Sequence, residues 1–105
     1  MAKAKITVLK RMSNPDIVEK YMGDEPKSGT MIPCQAFTDG QEFIVEQSSE
    51  PPKGFCNWAW VDIHKYVLTV MCGGSFSPWV KNEGGAIACC TDGYRPVVFY
   101  IERIE

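Results

Sequence analysis

The sequence contains a single histidine, His64, and no apolar run approaching the roughly 20 residues needed to cross a bilayer. The first shortage confines imidazole chemistry to one side chain. The second removes a membrane from the expected partners. A basic stripe is also lacking: 11 lysines and arginines are scattered among 13 acids, for a formal net charge of −2. Such a chain offers no track for phosphates, so nucleic acid is not an expected partner either. There is no Cys-x₂-Cys knuckle, and no glycine-rich loop follows a strand to cradle a phosphate. The opening Met1-Ala2-Lys3-Ala4-Lys5 has no apolar secretion core, which makes the cytoplasm the expected compartment. Thiols stay reduced there.

The chain has 105 residues, 45% of them hydrophobic and 23% charged, which suits a single domain over 1–105 with one core. Ala4 to Lys10 alternates as a strand, with Ile6 and Val8 on one face. Ser13-Asn14-Pro15-Asp16 starts a short helix with a capping side chain, and Ile17, Val18 and Tyr21 give that helix one apolar face. Asp24 to Ile32 and Ser48 to Gly54 read as loops. Between them, Thr38-Asp39-Gly40 turns into a strand over Gln41 to Gln47.

Asn57 to Met71 has helical spacing and is apolar around most of its circumference, so a largely buried helix is expected, or one with a side against another subunit. Gly73-Gly74 stops it. After a loop over Ser75 to Gly85, Ala86 to Cys90 and Pro96 to Ile104 read as a strand pair joined at Thr91-Asp92-Gly93, the second strand being central. The pattern predicts an α+β fold in the order β-α-β-α-β-β. Its sheet is mostly antiparallel or mixed, of about four strands, with one long and one short helix.

Three stretches carry a family resemblance. They are Gly54-Phe55-Cys56-Asn57-Trp58-Ala59-Trp60, Cys89-Cys90-Thr91-Asp92-Gly93, and Arg95-Pro96-Val97-Val98-Phe99 running into Ile101-Glu102-Arg103-Ile104. The chain resembles a family of small uncharacterised prokaryotic proteins marked by the Cys-Cys-Thr-Asp-Gly motif. The resemblance implies a cytoplasmic single-domain protein and carries over no catalytic residue.

Five cysteines, Cys34, Cys56, Cys72, Cys89 and Cys90, are an odd number with one adjacent pair, which argues against a disulfide framework. Thiolates and imidazole are ligands of zinc and of iron–sulfur clusters, so Cys56, His64, Cys89 and Cys90 are the metal candidates. Their spacing is unfavourable, because neighbours on a strand point to opposite faces. Alternatively Cys56, placed just before a helix, or Cys90 acts as a nucleophile. His64 then serves as a base brought from elsewhere in the fold, since it lies two helical turns beyond Cys56. A third account is packing, because free cysteine behaves as a small buried hydrophobe.

No cofactor is firmly implied, and whether the chain is an enzyme is open. The favoured reading is a small-ligand-binding domain, also able to form a homo-oligomer. Its site is expected near Cys56, Trp58, Cys90, Asp92 and Arg95, where the least generic side chains cluster. The alternatives are a thiol- or metal-dependent enzyme, and an accessory subunit that uses the tryptophan-rich helix as an interface.

Overall fold

A computed structural model describes residues 2–29 and 33–105. Strand β1 (Ala4–Arg11) puts Ala4, Ile6 and Val8 on one fully buried face, as its alternation predicts. It is followed by α1 (Pro15–Tyr21), α2 (Asp24–Gly29), β2 (Glu42–Val45), α3 (Asn57–Met71), β3 (Gly85–Cys89) and β4 (Val97–Arg103). The strands pair in the order β2-β1-β4-β3, every pair antiparallel. This is the expected α+β class, with β4 inside the sheet. Register aligns Phe43, Ile6, Ile101 and Ala86 in one row and Val8, Phe99 and Ala88 in the next. These rows form the floor on which α3 lies.

Helix α3 buries Ala59, Trp60, Ile63, Val67, Val70 and Met71 against that floor. The helix has the expected limits, but its burial is one-sided: Trp58 is 67% exposed and Val61 77%. The apolar circumference therefore exceeds what a single sheet face can cover. Gly54, at φ 82°, turns the chain into the helix, and Gly73, at φ 89°, turns it out. Beyond the helix, the Arg103 guanidinium donates to the Val70 carbonyl oxygen at 2.9 Å and ties the C-terminal end of α3 to β4.

Two local expectations are corrected. The stretch expected as a loop from Asp24 contains α2, because Asp24 and Glu25 in its first turn and Lys27 in its last suit the helix dipole. Residues 30–32 of that stretch lie outside the described residues. At α1, Asn14 occupies the cap position without capping the helix through its side chain. Its Nδ2 instead donates to the Gly93 carbonyl oxygen at 2.8 Å, and its backbone N–H donates to the Tyr94 carbonyl oxygen at 2.9 Å. No helix among the described residues is long and apolar enough to cross a membrane.

Candidate functional site

The β3–β4 connection is built around a carboxylate. Asp92 Oδ1 accepts the backbone N–H groups of Tyr94 and Arg95 at 3.0 and 3.2 Å, and Oδ2 accepts Arg95 Nε at 3.2 Å. An Asp at the head of a turn folds its side chain back on the following amides in this way. Thr91 donates its N–H and its hydroxyl to Asp62 Oδ2 on α3, at 2.7 and 2.9 Å, so helix and turn are locked together. Asn14 holds the other side of the same turn.

Two further segments close on this turn. Cys56 is the N-cap of α3 and accepts the Trp60 N–H on its carbonyl oxygen at 2.9 Å. The first turn of α3 carries no acid, and Cys56 makes no side-chain cap bond. The third segment is the loop before β2. The Arg11 guanidinium donates through Nη1 to the carbonyl oxygens of Cys34 and Phe37, both at 3.2 Å, and through Nε to Asp39 at 3.0 Å.

The three segments form an open cleft of about 540 Å³. Pockets for small organic molecules run from roughly 300 to 1,000 Å³ and are mostly apolar with few polar groups. Cys56, Trp58, Cys90, Asp92 and Arg95 all line this cleft, together with Cys34, Phe37, Ala59, Tyr94 and Val97. The five expected site residues therefore share one concavity. Of the other large aromatic side chains, Trp60 and Phe55 are core, Phe76 packs on Tyr66, and Trp79 stands 93% exposed on a loop. Asp62 lines a separate, more polar groove with Val61, Lys65, Ile87 and Cys89.

The thiol–imidazole pair does not assemble. His64 does not line the cleft. Its Nε2 is hydrogen-bonded to the Ser48 carbonyl oxygen, and its ring lies 5.1 Å from that of Trp60. Cys90 is buried, and its sulfur accepts the Val97 N–H at 3.3 Å. Cys89 faces away from the cleft, and its thiol donates to the Cys90 carbonyl oxygen at 3.2 Å. Burial, then the neighbouring Cys90, then the Asp62 carboxylate, raise its pKa above that of an ordinary thiol.

The metal candidates are not gathered either. Among the described residues no three His, Cys, Asp or Glu side chains come together to hold an ion. Strand alternation sends Cys89 and Cys90 apart, and His64 faces the β2–α3 loop. Zinc or an iron–sulfur cluster thus has no ligand set in Cys56, His64, Cys89 and Cys90. All five cysteines are free.

Reading from sequence missed Cys34, Phe37 and Tyr94 as lining residues and Arg11 as the group that holds the first two in place. Tyr94 falls between two stretches already singled out, Cys89 to Gly93 and Arg95 to Ile104. Nothing local marks Arg11, which acts on residues more than 20 positions away. No protein-family model matches the chain, and no curated protein or solved structure shows significant similarity to it.

Proposed function

We propose that this protein is a small-molecule-binding domain whose ligand occupies the cleft between the start of α3 and the β3–β4 turn. One observation carries the reading. Gly54–Trp60 and Cys89–Arg95, the two least generic segments of the chain, both contribute walls to one apolar concavity of ligand size. A reducing, cytoplasmic setting suits its three lining thiols.

The test is a ¹⁵N-edited NMR screen of small aromatic and heteroaromatic molecules at millimolar concentration. Hits are expected to shift the amides of Cys56, Trp58, Gly93 and Arg95, and Trp58→Ala is expected to weaken them. A screen in which no molecule moves those amides overturns the reading.

A second reading, homo-oligomerisation, is favoured by the outer strand. β3 ends the sheet with the uncharged sequence Gly-Ala-Ile-Ala-Cys, and its exposed Ile87 shares a groove with the exposed Val61 of α3. Sheet edges that remain single are ordinarily guarded by charge or proline. Sedimentation decides this: a monomer mass at millimolar concentration rejects it.

A further inference from the structure

We propose that the ligand of this cleft carries a carboxylate on an apolar, ring-sized body, and that Arg95, assisted by the Tyr94 hydroxyl, binds that carboxylate. The inference deepens the small-molecule reading and rests on it. It follows from counting which polar atoms of the cleft are already used.

Asp92 and Arg95 are the charged side chains in the lining. Asp92 accepts three hydrogen bonds within its own turn, two from backbone N–H groups and one from Arg95 Nε. Its accepting capacity is largely spent on holding the turn and the guanidinium. Thr91 is committed to Asp62. Arg95 is the opposite case. Its Nε is bound to Asp92, while its two terminal nitrogens and the Tyr94 hydroxyl make no hydrogen bond to the described residues. A guanidinium presents five N–H donors and no acceptor. The spare polar capacity of the cleft is therefore almost entirely donor, and a ligand must bring acceptors to satisfy it.

Geometry narrows the acceptor. With Nε held by Asp92, the Nη edge of the fork remains, and two parallel N–H groups match the two oxygens of a carboxylate. A phosphate would bring further oxygens and a second negative charge, and beyond Arg95 the wall offers no second cation for them, only the Trp58 indole N–H and weak thiol donors beside Ala36, Phe37, Ala59 and Val97. A cation would find Asp92 already occupied. Phe37 and Trp58 supply ring surface for the apolar body, and a bicyclic ring is well within 540 Å³.

Three probes sharing one ring test this on the full chain: 2-naphthoate, the neutral 2-naphthylmethanol and 2-naphthyl phosphate. Each is titrated at pH 7 and followed by ¹⁵N-edited NMR. The expected result is shifts at the cleft amides, with the carboxylate about tenfold tighter than the alcohol and the phosphate no tighter than the carboxylate. Arg95→Gln should bring naphthoate to within about twofold of the alcohol, costing naphthoate several times more affinity than it costs the alcohol. Tyr94→Phe, which leaves the Asp92–Arg95 pair intact, should cost naphthoate about threefold.

Equal binding of carboxylate and alcohol, a tighter phosphate, or an Arg95→Gln variant that loses both probes alike would overturn the carboxylate while leaving the cleft a binding site. If none of the three probes moves a cleft amide, the small-molecule reading itself falls and takes this inference with it.

Discussion

At the scale of single residues, the five cysteines show how far one side chain's chemistry depends on its setting. Cys89 and Cys90 are neighbours, yet strand alternation places one sulfur toward solvent and the other in the core. Cys89 is the accessible one of the two, but partial burial, the neighbouring Cys90 and the Asp62 carboxylate raise its pKa above that of an ordinary thiol. It should alkylate at pH 7 more slowly than free cysteine, and its rate should keep climbing with pH after free cysteine has levelled off. Peptide-resolved mass spectrometry reads both. The sign for stability agrees: a raised thiol pKa favours the folded state below the ordinary thiol range, and this contribution is lost as pH rises through the shifted value. Cys90 is structural. Cys90→Ala strips the Val97 N–H of its sulfur partner and should cost about 1–3 kcal/mol in urea denaturation.

At the scale of elements, the cleft exists because short side-chain clamps hold irregular segments against regular ones. Asn14 at the start of α1 makes two hydrogen bonds to the β3–β4 turn. Asn14→Ala removes the side-chain bond and should cost about 1 kcal/mol, with weaker binding of cleft ligands measured by titration. Gly54 is the hinge into α3. A Cβ there would meet no atom within 4 Å, so the cost of Gly54→Ala comes from its positive φ alone. About 1–2 kcal/mol of destabilisation is expected, and an unchanged urea midpoint would contradict this account. Locally, the helix limits and the turn glycines were legible because period and punctuation are local properties. Helix α2 was not, since its proline, serine and glycine composition outweighs the acidic first turn that supports it.

At the scale of the whole molecule, one aromatic cluster joins the sheet, α3 and the loop before β2. Phe37 and Phe55 lie 5.2 and 5.6 Å from Phe99, and Phe43 lies 4.9 Å from Phe55. Phe99 is fully buried on the central strand β4. Phe99→Ala should cost about 3–5 kcal/mol, a large share of the roughly 5–15 kcal/mol that holds a domain together. Thermal and urea unfolding measure it. Because Phe37 also lines the cleft, a surviving Phe99→Ala protein should bind cleft ligands less well than the original chain. The packing that stabilises the fold is continuous with the packing that shapes the site.

The sequence by itself determined the elements: the alternation in β1 and β4, the limits of α3, the opposite facing of Cys89 and Cys90, and the clustering of unusual side chains in two segments. Each depends on neighbours a few residues apart, which periodicity exposes. Only the tertiary structure decided that those two segments form one cleft, that Arg11 brings Cys34 and Phe37 to it, and that His64 turns away to Ser48. Those outcomes depend on hydrogen bonds and packing between residues distant along the chain. No local pattern encodes such contacts, because their partners are chosen by how the whole sheet and helix pack.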